Sequence, residues 1–299
     1  FVIHHLMGHA PEVMKNMIQK FTNCPVYFWV HDYFTLCRSY TLMQNGLRFC
    51  NAPPISSNAC QICLYGEERQ SHVARIRNLL SIKELKLVFP SEVARDMLAK
   101  SGIAVENAVI LPHIALSEVH TQPAMGTERT FQDVITIAFI GTPAMLKGWE
   151  VFRQLTENYR QSSRFNFMVF SKLPPIPGNY RWVEVHTTAN NLGAMTEALE
   201  KCQVDFVLNW PGWPKTFSFV TCEALVAGAY IITNKWSGNV VKLIEKHGSG
   251  IVLDSHSELM YFISSIKIND AANFIRKVRK NRKFFINNSK MTLEILGNN

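Results

Sequence analysis

The sequence predicts an α/β protein made of two doubly wound domains in tandem, the first of them incomplete. Three observations lead there. The chain has 299 residues, more than one core normally organises and enough for two domains of about 150 residues each. Its runs of strand length are continuously apolar rather than alternating, and segments of helical period separate them, which is the pattern of a parallel sheet covered on both faces. A polar, aperiodic stretch with Pro and Gly, residues 115–133, divides one such series from the next. With 47 % hydrophobic and 18 % charged residues, the chain has material for two cores and falls outside the disordered class.

The elements follow in order. Pro11–Phe21 has helical period and a proline suited to a first turn, and Val26–Val30 is an apolar strand ending at His31-Asp32. Leu36–Tyr65 has little periodicity and reads as an ordered loop held by something other than a core. Helix Ser71–Leu80, strand Leu85–Phe89, helix Ser91–Lys100 with a serine cap, and the short strand Val109–Leu111 complete the first domain, placed at residues 1–120. The linker proper is placed at residues 121–133. From residue 134 to 299 the order is strand Ile135–Ile140, helix Trp149–Tyr159, strands Phe165–Phe170 and Trp182–Val185, helix Leu192–Lys201, and strand Phe206–Asn209. Helix Ser218–Ala227, strand Tyr230–Thr233, helix Val240–Lys246 and strand Gly250–Leu253 follow, and a basic helix is expected to close the chain.

Net charge is +8, yet six basic residues crowd between Arg276 and Lys283. Without them, 25 basic residues against 23 acidic leave a nearly neutral body. No aromatic-interleaved basic patch or zinc-finger helix accompanies that octet, so nucleic acid is not an expected partner. The octet precedes Phe284-Phe285-Ile286, a combination that suits an anionic membrane surface as well as it suits a solvated helix face. No apolar run reaches the length of a spanning helix and no signal peptide is evident, so the expected location is cytoplasmic, peripheral at the inner membrane face. The chain opens on an apolar run without Met, and a preceding segment of the same protein is expected.

Seven cysteines fit a reducing compartment better than a disulfide framework. Cys24, Cys202 and Cys222 read as reduced core thiols. Cys37, Cys50, Cys60 and Cys63 are spaced C-x12-C-x9-C-x2-C, which suits a closed, structural tetrahedral zinc site; four free thiols and a redox pair are the alternatives. His4, His5 and His9 fit no ligand pattern and read as packing or surface residues.

In doubly wound sheets ligands bind beyond the carboxyl ends of the strands, and three such ends carry chemistry. Ile137-Ala-Phe-Ile-Gly141-Thr142-Pro-Ala-Met-Leu-Lys147-Gly148 is a strand, a glycine turn and a Lys-Gly pair opening a helix, a combination that suits a phosphate. Asn209-Trp-Pro-Gly-Trp-Pro-Lys215-Thr216-Phe217-Ser218-Phe219 leads into a helix that carries Glu223, a carboxylate able to accept two hydrogen bonds from a ribose diol. The third is His31-Asp32.

On these stretches the chain resembles the retaining GT-B glycosyltransferases of family 4, nearly continuously from Ile135 to Leu253. The resemblance rests on strand–Gly–x5–Lys-Gly, on Pro-x-Thr-Phe-Ser-x-x-x-x-Glu-Ala-Leu-x-Ala-Gly, and on Tyr230-Ile-Ile-Thr…Ser237-Gly238…Gly248-x-Gly250-Ile-Val-Leu. It implies two Rossmann-like domains facing across a cleft, an acceptor-side domain first and a nucleotide-sugar-binding domain second. The implied reaction moves a sugar from a nucleoside diphosphate sugar to a hydroxyl of a saccharide or lipid-linked acceptor, with retention and without a catalytic metal. By the resemblance Lys147 neutralises the diphosphate, Glu223 holds the ribose, and His31 lies over the sugar as the third catalytic residue. Gly141, Thr142, Gly148, Lys215, Thr216, Phe217, Ser218 and Phe219 complete the donor site, and a subset of the family looks similar in the cysteine loop. Pro90-Ser91-Glu92 and Leu111-Pro112-His113 resemble family connections that border the cleft.

Two positions depart from the pattern. Lys215 stands where a sugar-gripping glutamate is usual, and Thr142 where an arginine follows the turn glycine. Lys215 replacing the lost phosphate cation, a donor sugar bearing a carboxylate, and an impaired site that only binds nucleotide sugar or a partner chain are the readings left open.

Overall fold

The structure, a computed structural model, describes residues 1–21, 24–120, 134–279 and 282–287. The chain divides into two units, the first holding Phe1–His113 with Trp213–Phe217 and the second holding Ile114–Gly212 and the chain from Ser218 onward to Asn288. The linker placed at residues 121–133 lies outside the described residues.

The first unit contains β1 (Val2–Ile3), α1 (Pro11–Lys20), β2 (Val26–Trp29), β3 (Met43–Gln44), β4 (Arg48–Phe49), α2 (Asn58–Gln61), α3 (Gly66–Leu80), β5 (Leu85–Phe89), α4 (Glu92–Lys100) and β6 (Val109–Ile110). Its main sheet is parallel, in the order β1-β2-β5-β6. β2 is buried along its whole length, as its unbroken apolar run requires of a strand covered on both faces. Helix α1 starts on Pro11 and lies along α3, where Glu12 pairs with Arg75 and Lys15 Nζ donates to Asn78. Ser91 caps α4, its hydroxyl accepting from the Ala94 amide. Helix α3 begins five residues before the expected Ser71, at Gly66, where the chain runs against the Cys60 carbonyl and a Cβ would collide with it.

The second unit contains β7 (Ala115–His120), β8 (Ile135–Ile140), a 3-10 turn (Met145–Lys147), α5 (Trp149–Asn158), β9 (Phe165–Ser171), β10 (Arg181–Glu184), α6 (Ala194–Lys201) and β11 (Phe206–Leu208). It continues with α7 (Phe219–Val226), β12 (Tyr230–Asn234), α8 (Asn239–His247), β13 (Gly250–Leu253), α9 (His256–Ser265), α10 (Ile268–Arg279) and β14 (Arg282–Asn287). Six parallel strands run in the order β10-β9-β8-β11-β12-β13, so the winding direction reverses between β8 and β11. Ile137 and Phe139 pack with α5, α9 and α10 on one face, while Ala138 and Ile140 pack with α6, α7 and α8 on the other. That is why β8 is apolar at every position.

Two expectations are corrected here. Residues 115–120, read as the start of the connecting stretch, form β7 and pair antiparallel with β14. The closing basic segment is helical over Ile268–Arg279, and Arg282 and Lys283 open a strand. Alternation along β14 turns Phe284 inward, 2 % exposed and edge-on to His247 at 5.1 Å, while Phe285 faces out. The aromatic group expected to touch a membrane thus gives its first ring to the core. Among the described residues no helix is long and apolar enough to cross a membrane.

Candidate functional site

In the second unit the loops after β8 and β11 flank the reversal of winding, where an open α/β sheet leaves a crevice. β8 ends at Gly141, whose φ of +94° makes the turn. The Lys147 ammonium lies over that turn, 3.7 Å from where a Cβ on Gly141 would stand. Gly148 is also left-handed, φ +85°, and a Cβ there would strike the Trp210 carbonyl. The Gly212 amide donates to the Leu146 carbonyl at 3.1 Å, so the two loops are tied through their backbones. Burial holds the Lys147 ammonium below its ordinary pKa, as expected of a cation with its hydration partly stripped. Thr142 is exposed beside it.

Ser218 caps α7 and is itself locked. Asn209 Nδ2 donates to Ser218 Oγ at 3.2 Å and to Thr221 Oγ1 at 3.1 Å, while Ser218 Oγ accepts from the Thr221 amide. Thr233 Oγ1 donates to the Asn209 carbonyl at 2.6 Å, joining β12 to the network. Ser218 Oγ thus serves the cap, and the first turn of a helix such as α7 is where backbone amides meet an anion. Glu223 sits one turn further on, and burial raises its carboxyl to about 6.

In the first unit the carboxyl ends of the parallel strands bring four histidines together. His31 follows β2, His4 and His5 follow β1, and His113 follows β6. His5 Nδ1 accepts from the Met7 amide at 2.8 Å, so its proton is on Nε2, which donates to Asp32 Oδ2 at 3.0 Å. The segment Trp213–Phe217 lies on the same edge. Thr216 Oγ1 donates to the His31 carbonyl (2.5 Å), Ser91 Oγ to the Thr216 carbonyl (2.6 Å), and Tyr33 Oη to the Pro214 carbonyl (2.9 Å). Phe217 stands edge-on to His113 at 5.2 Å. The Lys215 ammonium lies over the Trp213 ring, 4.5 Å from its centroid.

The cysteine loop is the third expected site. Cys37, Cys50, Cys60 and Cys63 line one small pocket, and Arg69 enters it from α3. Arg69 Nη1 donates to Cys60 Sγ (2.8 Å) and to the Pro53 carbonyl (2.7 Å), and Nε donates to the Leu36 carbonyl (3.1 Å). Burial raises the Cys37 and Cys50 thiols, which favours their protonated form. Among the described residues no group of three or more His, Cys, Asp or Glu is arranged to hold a metal ion. The zinc expected from spacing is thus not supported: the thiols gather, but around a guanidinium. Of the three presumed core thiols only Cys222 is buried; Cys202 is half-buried, and Cys24, just before Pro25 and β2, is exposed.

No protein-family model matches the sequence. The curated proteins hold no match to it. Solved structures do match the chain. The sucrose-phosphate synthase of Thermosynechococcus elongatus superposes with a TM-score of 0.58 at 13 % identity, over 94 % of this chain and 67 % of that one. HepE of Anabaena, in complex with UDP-glucose, gives 0.56 at 11 % identity over 94 % and 74 %. WaaG, a glycosyltransferase involved in lipopolysaccharide biosynthesis, gives 0.57 at 13 % identity over 89 % and 75 %. The fold is GT-B. Within this GT-B fold, Gly141, Lys147 and Gly148 come together at the winding reversal, and Ser218, Phe219 and Glu223 share α7. His31, Thr216 and Phe217 share the edge of the first sheet, with Lys215 held on the Trp213 ring.

Tyr33, Asn209 and the part played by His4, His5 and His113 emerge only from the structure, which puts His4 beside His31 and His5 on Asp32 where the sequence suggests packing or surface residues. One signal was available: Val2-Ile3-His4-His5 repeats the form of the strand ending at His31-Asp32, an apolar run closed by a polar pair.

Proposed function

We propose that this chain is a nucleotide-sugar-dependent glycosyltransferase, a retaining hexosyltransferase whose acceptor is a hydroxyl of a polysaccharide or glycolipid. The observation that carries the reading is the reversal of winding between β8 and β11, with a desolvated Lys147 over the Gly141 turn and Glu223 on the helix that follows β11. A diphosphate supplies the negative charge that Lys147 and the first amides of α7 are arranged to meet, and a ribose diol supplies two donors to the Glu223 carboxylate. Solved relatives of this fold in complex with UDP and with UDP-glucose support a nucleotide-sugar donor, and WaaG's part in lipopolysaccharide biosynthesis supports a saccharide or lipid-linked acceptor.

In the proposed reaction the bond from the anomeric carbon to the diphosphate oxygen breaks as the acceptor oxygen bonds to the same face of that carbon. Lys147 and the α7 amides stabilise the charge developing on the diphosphate, whose oxygen takes the acceptor's proton. His31 is assigned to the transferred sugar.

The residue at position 142 favours a second reading. With Thr142 where a cation is usual, the turn under Lys147 has one positive charge fewer for a diphosphate, as a module that binds nucleotide sugar without turning it over would. Calorimetric titration with UDP, GDP, CDP and dTDP, followed by release of the same diphosphate from its sugar conjugates, tests both. Tight binding of one diphosphate with turnover is expected. Binding without turnover on any acceptor moves the assignment to the second reading, and no binding by any of the four overturns both.

A further inference from the structure

His31 has a partner on each ring nitrogen. His4 Nδ1 is 3.3 Å from His31 Nε2, and His113 Nε2 is 3.2 Å from His31 Nδ1. The three rings form a chain rather than a cluster, since the contacts use opposite nitrogens of His31 and do not converge on a point where an ion could sit. Trp29, 2 % exposed, braces the chain from below, with ring centroids 6.0 Å from His4, 5.5 Å from His31 and 5.5 Å from His113. The carbonyl of His31 is held by Thr216 Oγ1, so ring and backbone are both anchored.

Proton bookkeeping along this chain is restrictive. A neutral imidazole has one N–H and one lone pair, so a bond at one nitrogen dictates what the other can do. If His31 donates from Nδ1 to His113, its Nε2 is an acceptor. If it accepts at Nδ1 from His113, its Nε2 is a donor. His4 is exposed and His113 half-buried against Phe217, so the bond to His4 is the one that can open to a ligand while the bond to His113 stays closed.

We propose that His113 is the positioning residue of His31: the tautomer of His113, by presenting Nε2 as donor or as acceptor, fixes which nitrogen of His31 carries the proton, and thereby whether His31 Nε2 accepts from or donates to a sugar hydroxyl that displaces His4. The proposal rests on the assignment of His31 to the transferred sugar. The groups facing His31 are His4 and His5 beyond β1, its neighbour Asp32, and His113 beyond β6; burial is the largest influence on its titration and the histidine neighbours add to it, leaving His31 and His113 near 4 and so neutral at physiological pH. A neutral chain keeps the tautomer question alive, because a charged imidazolium would donate from both nitrogens.

The test uses the whole chain labelled with 15N-histidine, comparing the native protein with His113→Phe, which keeps a ring beside Phe217 and Trp29 but has no nitrogen, and His113→Gln, which restores a polar atom near the lost Nε2. His31 ring resonances, assigned with a His31→Gln variant, are expected to show one neutral tautomer in the native protein and a mixture of two in His113→Phe, with return toward one in His113→Gln. Transfer from the nucleotide sugar is expected to fall at least tenfold in kcat/KM in His113→Phe, with affinity for the bare diphosphate unchanged and the acid limb of the pH profile moved toward the ordinary imidazole range. Unchanged His31 resonances in a folded His113→Phe, or a mixture already present in the native protein, overturns the proposal. A single native tautomer that mixes in His113→Phe, in a chain that turns over no sugar, upholds the positioning and overturns the transferase reading instead.

Discussion

Glu223→Gln should stabilise the protein while weakening nucleotide binding. Burial raises the Glu223 carboxyl from 4.5 to about 6, so the folded state binds its proton more tightly than the unfolded state does. Between those two values the folded chain holds more protons, and stability is lost as pH rises through them. The loss is complete above the folded pKa: a shift of about 1.5 units at about 1.4 kcal/mol each is about 2 kcal/mol. Gln mimics the protonated acid and escapes this cost. At pH 7.5 the variant should therefore be more stable by up to about 2 kcal/mol, a rise in Tm of about 4 to 8 °C for a unit of this size. At pH 4.5 and below the difference should fade. The carboxylate's worth to a ribose diol is about 1.5 to 3 kcal/mol, so diphosphate affinity should fall about tenfold to a hundredfold. Denaturant unfolding of both proteins at pH 4.5, 6 and 7.5, with calorimetry at pH 7.5, measures all of this. A variant less stable at pH 7.5, or a stability difference independent of pH, would refute the electrostatic argument; undiminished nucleotide affinity would refute the ribose assignment.

Lys147→Met should weaken a nucleoside diphosphate by about tenfold or more while leaving the uncharged nucleoside unaffected, as calorimetry with both ligands would show. Arg69→Met strips the Leu36 and Pro53 carbonyls of a buried donor and should lower unfolding stability by about 2 to 4 kcal/mol, read from the denaturant midpoint. Phe284→Ala should cost about 3 to 5 kcal/mol whereas Phe285→Ala, one residue on and facing out, should stay within about 0.5; equal effects would overturn the strand register. His31 and His113 titrate near 4 in the folded state against 6.5 when free, so the unfolded chain binds more protons in between. Their contribution is therefore intact above about 6.5 and is lost as pH falls toward 4, and a His31→Gln/His113→Gln pair should flatten that limb of the stability profile.

The strands that carry the GT-B fold were legible because a strand covered on both faces has to be apolar throughout. Ile135–Ile140, Leu85–Phe89 and Gly250–Leu253 appear in the structure with the bounds their apolar runs suggest. The helix starts at Ser91 and Ser218 were legible too, since a cap is a local contract between one hydroxyl and an amide three residues on. Gly141, Lys147 and Gly148 stood out for the same reason: a glycine turn and the cation closing over it lie within eight residues of chain.

Partners far apart in the chain were illegible. β7 reads as a polar connection until β14 pairs with it from the other end of the unit, and Arg282 and Lys283 read as helix until that pairing makes them strand. Cysteine spacing suggests a metal, but spacing counts cysteines alone and takes no account of Arg69, close by in the chain, whose guanidinium donates to Cys60 Sγ once α3 has formed. His4 and His113 are separated by more than a hundred residues and become neighbours of His31 only because β1, β2 and β6 lie in one parallel sheet with their carboxyl ends on one edge. Periodicity and local turns are properties of adjacent residues and survive in the linear chain. Which nitrogen meets which, and which charge lies against which thiol, depends on the packing of elements that the chain visits at different times, and so appears only once the sheets are assembled.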